Sequence, residues 1–458
     1  MIPEENRIKM PVTKYLLLAL LLAGVTVACR QGQPPAAEGS WLLVRGGTMV
    51  DVSDLGHSDA DMADAFVLIH DDSIVETGQG EPVTPLPKKL QVINATGKYL
   101  LPGLTDGFGV LNNQAYANAY LYMGVTTLLE VDGGRRGDFF AAANPAPNIY
   151  HLEGIGEETG STEVFLAQLD SLHEAGYQVV LLMYGLQPQQ LDTLVRKAHA
   201  LGMNCIGELG HTTYREAIAA SVETFVHFTR YSLELAPSDM AAAVADHPFS
   251  NTMDSPKWRY YRWLTTLDPA DPRIREYGKV LAASHSFLQP TLSLLYLDLP
   301  EHKNPWDFPV AKILNPKDVN NPADKETGRH NYPPEIQKNY TALARQQMHI
   351  EPVYHAAGAR YLAASASDVW GTMPGISLHT ELELLHRIGL SNREALAAAT
   401  SNFHKAYGWK TGLLKKGFNA SLIILDENPV EELDNLQKIH TLILNGKVIE
   451  REKLMNFE

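Results

Sequence analysis

TEVFLAQLDSLHEAGYQVVLLMY, residues 162–184, sets helical apolar spacing against a buried strand, and the change of period falls at Gly176. The same unit recurs on both sides. GVTTLLEV (124–131) reads as a strand, QQLDTLVRKAHALG (189–202) as a helix that stops on Gly202, and NCIGEL (204–209) as a strand. REAIAAS (215–221) and ETFVHF (223–228) repeat the pair. Strands alternating with helices of this length predict βαβ units and a parallel sheet. Further on, Ser391 and Glu394 form a capping box before ALAAAT, which predicts a helix start.

The two ends of the chain have a different pattern. WLLVRGGTMVDV (41–52), AFVLIHDDSIVETG (65–78) and Leu90 to Ala95 are short β-type runs, matched by SLIILD (421–426) and HTLILNGKVI (440–449). Two strand sets that flank an α/β middle join most simply into one domain. Two stretches break the rhythm of the middle: residues 229–285, with WRYYRW at 258–263, and the Pro-, Asn- and Asp-rich residues 300–340. The second is too long for a plain connector, and both follow strands of the sheet.

Hydrophobic residues make up 45% and charged ones 20% of the 458-residue chain, as in ordinary globular proteins. The formal net charge of −15 would be repelled by phosphate backbones, so nucleic acid is excluded as a partner. Arg7, Lys9 and Lys14 precede an apolar run from Tyr15 to Val27 that ends in Ala28-Cys29. This reads as an export signal over 1–28 with Cys29 as the lipidated first residue of the mature chain, followed by a flexible tether over 29–40. An ordinary secretory signal with a chance cysteine is the alternative. The expected location is a bacterial membrane surface, with the body outside the cytoplasm and the lipid as anchor. The only other cysteine, Cys205, is then left without a disulfide partner.

Several segments resemble the amidohydrolase superfamily, nearest its imidazolonepropionase- and prolidase-like branch: GKYLLPGLTDGFGVL (97–111), PGISLHTELELLHRIGLSNREALAAATSNFHKAYG (374–408) and TGLLKKGFNASLIILDENP (411–429). The resemblance implies a (β/α)₈ TIM-like barrel over 101–410, with a small β-sandwich built from 41–100 and 411–458. It also implies one or two divalent metals at the C-terminal strand ends, which make hydroxide available near neutral pH. After Asp106 that plan puts histidines at 108 and 110, where this chain has Phe108 and Val110. Leu181 stands in place of its lysine, Glu208 in place of its strand-five histidine, and Ala366 in place of its strand-eight aspartate, with Asp368 two residues on. His227 alone is kept.

The expectation is therefore a dismantled metal site with no cofactor, in a non-catalytic or divergent subunit that binds a small molecule or an active amidohydrolase relative. The alternative is a hydrolase of C–N bonds in cyclic amides or dipeptide-like substrates. It would use Glu208, His227 and Asp368, either as a metal-free acid–base set or around one weakly held divalent ion, with His211 as a further ligand. A hydrogen bond between Glu208 and His227 is expected from their adjacent strand ends. Tyr184, His211, Trp258 and Arg259 are candidate ligand-binding residues, Trp258 and Arg259 because aromatics and Arg stack on flat or sugar-like faces. The plainer alternative for WRYYRW is a lid packed on the barrel rim.

Overall fold

The computed structural model describes residues 39–131, 142–246 and 252–456. The signal peptide, Cys29 and nearly all of the tether lie outside the described residues. None of the described helices is long and apolar enough to cross a membrane.

Eight strands form one parallel sheet: β6 (Leu104–Gly109), β7 (Val125–Val131), β8 (Asn148–Ile155), β9 (Val179–Leu182), β10 (Asn204–Gly207), β11 (Thr224–Val226), β12 (Phe287–Gln289) and β13 (Arg360–Tyr361). The first and last strands meet and close the barrel. Gly109 bridges Ser367 in parallel, and the Gly107 amide donates to the Ala363 carbonyl at 3.0 Å. That approach needs glycine, because a Cβ at 107 would sit 2.9 Å from the Ala363 oxygen and 2.7 Å from the Gln289 amide. The helices expected between the strands are present at Thr162–Glu174, Pro188–Ala200 and Tyr214–Ala219. Ser391 caps Asn392–Ala398 with the Glu394 box. The two rhythm-breaking stretches follow β11 and β12, where they cover the C-terminal mouth of the barrel.

Alternate strand residues face inward and pack as an apolar plug. Phe108, Leu129, Leu152, Leu181, Ile206 and Val226 meet Phe403, Tyr407 and Trp409 from the last barrel helix and the turn after it. Their neighbours Leu128, Val180, Leu182, Cys205 and Phe225 face the helices.

The chain ends share a second eight-stranded sheet. β1 (Trp41–Met49), β2 (Met62–His70), β3 (Ser73–Gln79), β4 (Gln91–Asn94) and β5 (Tyr99–Pro102) come from the N-terminal side of the barrel. β14 (Leu422–Leu425), β15 (Ile439–Leu444) and β16 (Lys447–Ile449) come from the last forty residues. Antiparallel pairing of Tyr99 with Leu425 and of Pro102 with Leu422 joins the two sets. The sheet curls until β3 meets residues 417–419, with Ser73 bridging Asn419 and Ile74 exchanging backbone hydrogen bonds with Gly417 and Phe418. Leu42, Val44, Val67, Ile69, Leu422, Ile424 and Ile443 fill the inside of the curl, while Ile423, Leu425 and Leu442 pack outward on the barrel.

Two buried carboxylates hold the mouth loops and set a pH dependence. Glu381 accepts the Leu292 and Ser293 amides at 3.1 and 2.7 Å, and burial pushes its pKa up to about 8. Glu351 accepts the Thr229 and Tyr361 hydroxyls, and burial pushes it up to about 7. A raised carboxyl holds a proton in the fold that the unfolded chain releases near pH 4.5, so its stabilisation is lost as pH rises through the folded value. His227 and His379 are depressed by burial and act in the opposite sense, but only below their usual 6.5. Thermal melts should therefore show stability falling from about pH 6.5 to about pH 8.5, with Glu381→Gln flattening the fall. A melting temperature that rises over that window would show that these carboxyls are ionised in the fold.

Candidate functional site

Glu208 and His227 each stand one residue past a strand end, after β10 and β11, and both are buried. His227 turns the chain from strand into the short helix Phe228–Tyr231 with φ of 53°, in the left-handed region that histidine tolerates better than most residues. Its Nδ1 lies 2.6 Å from the Thr291 hydroxyl, which also reaches the Pro290 carbonyl at 2.7 Å. A hydroxyl has one proton, so both contacts are satisfied only if Nδ1–H donates and Nε2 is left as an acceptor. Burial, then Arg230 and Lys257, hold the imidazole pKa well below its usual value, so the ring is neutral.

Glu208 accepts the Tyr184 hydroxyl. Burial raises its pKa against the opposing pull of that hydrogen bond and of Arg230 and Lys257. The expected bond between Glu208 and His227 is not formed, because Tyr184 takes the carboxylate and Thr291 takes the imidazole. Phe108 stands edge-on to the His227 ring, with centroids 5.3 Å apart at 73°, so a ring occupies the space a ligand pair would need.

Asp368 does not join them. It accepts Asn112 Nδ2 at 2.5 Å and the Tyr116 hydroxyl at 2.8 Å, on the side of the mouth next to β6. Among the described residues one trio of His, Cys, Asp or Glu brings ligand atoms within 4.8 Å of one another, and it is His199, Cys205 and Glu223. The set of Glu208, His227 and Asp368 with His211 is therefore not assembled as a metal centre.

His211 lies 3.7 Å from Asp246 and lines a cavity of about 380 Å³ with Thr212, Tyr214 and Glu234, whose lining includes neither Glu208 nor His227. Tyr184 is buried beneath Glu208 and beside the Tyr231 ring. Trp258 is buried edge-on to Tyr261 and Tyr340, at 5.6 and 5.1 Å between centroids, so it packs rather than presenting a face to a flat ligand. Arg259, next to it on the helix Pro256–Leu264, points to solvent. The packed-lid alternative for WRYYRW fits, and the stacking platform does not.

The donor set does not fit the paired-metal centre that the resemblance implies. Phe108, Leu181 and Ala366 belong to the barrel plug and Val110 to the outer core, all buried and none able to bind a cation. Asp106 is engaged too, accepting the Ser365 amide at 2.9 Å and hydroxyl at 2.5 Å, with its pKa pushed up to about 6 by burial.

Two charged residues at the site were missed in the sequence, Arg230 and Lys257. Arg230 is the third residue after His227, a cation directly behind an apolar strand, and that placement was the available signal.

Residues 277–449 match the amidohydrolase family. No curated protein matches the chain by sequence. A solved Xaa-Pro dipeptidase with methionine bound in its active site is 14% identical, with a TM-score of 0.61 over 90% of this chain and 100% of its own. A bottromycin amidohydrolase is 16% identical, with a TM-score of 0.64 over 90% of this chain and 87% of its own. An ochratoxinase from A. niger is 15% identical, with a TM-score of 0.57 over 90% and 96%. At these identities the likeness is one of fold. The amidohydrolase resemblance read from the sequence is borne out, and two of its three segments, 374–408 and 411–429, lie inside the matched span.

If Phe108 is core rather than the wall of a ligand cavity, Phe108→Ala should cost about 3–5 kcal/mol of stability. His227→Ala should cost about 0.5–1.5 kcal/mol for the lost Thr291 hydrogen bond. Chemical denaturation of both variants checks the order. A Phe108→Ala variant as stable as wild type would mean that the mouth is an open cavity.

Proposed function

We propose that this amidohydrolase-like chain is a binding protein rather than a metal hydrolase, with its barrel mouth kept as a ligand or partner site. One observation carries the reading. The buried aromatic ring of Phe108, which stands at a ligand position of the family, packs directly on His227, the one ligand kept. A catalytic zinc commonly takes three protein ligands and a water. Here Glu208 and His227 offer two: Glu208 already accepts Tyr184, and Nε2 is the one atom of His227 left to a cation.

A second reading, a hydrolase of C–N bonds in dipeptide-like substrates, draws on the Xaa-Pro dipeptidase among the structural neighbours and on the pair of Glu208 and neutral His227. Elemental analysis of protein purified without added metal, repeated after zinc soaking and dialysis, separates the two. The binding reading expects no stoichiometric zinc, manganese or iron and no release of amino acid from Xaa-Pro dipeptides. A ratio near one that His227→Ala or Asp368→Ala abolishes would establish the hydrolase instead.

The same proposal puts the protein on a bacterial membrane through a lipid on Cys29, outside the cytoplasm, with an active amidohydrolase relative as a candidate partner. Its support is the basic, apolar and Ala28-Cys29 sequence of the N-terminus. A fatty-acid analogue should label wild type and not Cys29→Ala, which should be released as soluble protein. An unlabelled wild type removes the anchor from the proposal.

A further inference from the structure

Arg230 is 2% exposed and always ionised, yet among the described residues its guanidinium makes no ion pair, and its Nε is enclosed without a hydrogen-bond partner. A charge buried in this way is costly to hold unless something compensates it. Two rings offset part of that cost. The Tyr231 ring centroid lies 5.4 Å from the guanidinium carbon and the Trp370 centroid 5.2 Å, so the cation spans from the short helix after β11 to the loop after β13. Aromatic contacts do not satisfy the N–H groups, which remain as donors.

A second cation stands beside it. Lys257 Nζ lies 5.4 Å from the same Tyr231 ring and has no ion-pair partner among the described residues. Both cations act on Glu208, but that carboxylate already accepts Tyr184, and burial opposes its ionisation. Neither cation forms an ion pair among the described residues, although Glu157 as well as Glu208 acts on this corner of the mouth. Arg230 and Lys257 line one cavity with Tyr184, Tyr231, Tyr260 and Tyr261. Its volume is about 10 Å³, the room one water needs, so it takes a terminal oxygen and leaves the body of a ligand outside.

We propose that Arg230, with Lys257, is the anion-binding anchor of this mouth, and that its ligand is a monocarboxylate. A guanidinium N–H matches a carboxylate oxygen, and the cavity has the room of one such oxygen. A phosphate dianion fits less well, because Glu208 lies within reach of the same cations. The inference rests on the binding reading for the location of the site, but not for the absence of chemistry there.

Phenylacetate is the probe, with its neutral isostere phenylacetamide and with phenyl phosphate as controls, measured by calorimetry and thermal shift on the full mature chain. Phenylacetate should bind and raise the melting temperature, while phenylacetamide should do neither. Arg230→Met should weaken phenylacetate by about 10- to 100-fold, the loss of a charge-assisted pair. Arg230→Met should also melt no lower than wild type without ligand, since it removes an unpaired buried charge. Lys257→Met, at a half-buried position, should weaken binding less and keeps the test open if the Arg230 variant fails to fold.

A wild type indifferent to phenylacetate, or an Arg230→Met that melts lower while binding phenylacetate as tightly, would make Arg230 a structural cation and overturn the proposal. Tighter binding of phenyl phosphate would overturn the carboxylate assignment. Stoichiometric metal together with intact carboxylate binding would defeat the binding-protein reading and leave this site standing.

Discussion

Closure of the barrel depends on a seam between its first and last strands, and a single buried carboxylate holds that seam. Asp106 on β6 takes both the amide and the hydroxyl of Ser365, whose hydroxyl also meets that of Ser367 at 2.7 Å. Two backbone contacts, Gly107 to Ala363 and Gly109 to Ser367, flank it. β13 has only two paired residues, so side-chain bonds must supply the order that a longer strand would provide. With the seam shut, Phe108 is fixed inside the mouth and Asp368 is turned toward Asn112 and Tyr116. The separation of Asp368 from Glu208 and His227 is a result of how the barrel closes.

The plug then determines what the mouth can do. In a metal hydrolase of this plan the strand ends carry imidazoles and carboxylates, and each must stay solvated or metal-bound. Here three of those positions add apolar volume to a continuous core, which gains stability from burial and loses the cavity a metal would need. Restoring a ligand at one of them would place a polar group in an apolar interior without partners.

Much of the barrel could be read from the chain, because the helices of 162–221 keep one apolar face and their strands are short apolar runs. β8 escaped that reading: its half-exposed NIYHLEGI has neither a clean alternation nor an apolar run. β12 and β13, of three and two residues, are too short to show a period. The helices after β11 did leave signs, with Ser255 before Pro256 and Asp271 before Pro272, each a cap with proline in the first turn. Trp258, Tyr261 and Leu264, three apart, mark the buried face of the first, which is why Trp258 packs and Arg259 does not. At the site, the strand-end positions of Glu208 and His227 were legible. Their partners Tyr184 and Thr291 were not, since those bonds join residues 24 and 64 apart through the fold.

Arg230 was in plain view, but its lack of a counter-ion is a property of the tertiary structure, and that property carries the functional meaning. A metal and a guanidinium both attract an oxyanion, yet they differ in the chemistry they make available. A divalent ion lowers the pKa of bound water to about 7 and so supplies a nucleophile. A guanidinium coordinates no water in that way and releases no proton near neutrality. Positive charge at this mouth comes from Arg230 and Lys257, while the plug fills the metal positions. Such a mouth can retain an anion without activating water against it. The neutral imidazole of His227, with its Nδ1–H bonded to Thr291 and its ring packed against Phe108, keeps Nε2 as its basic atom. Binding without turnover is what the proposed function expects of this mouth, and Nε2 of His227 is the atom on which the hydrolase reading would depend.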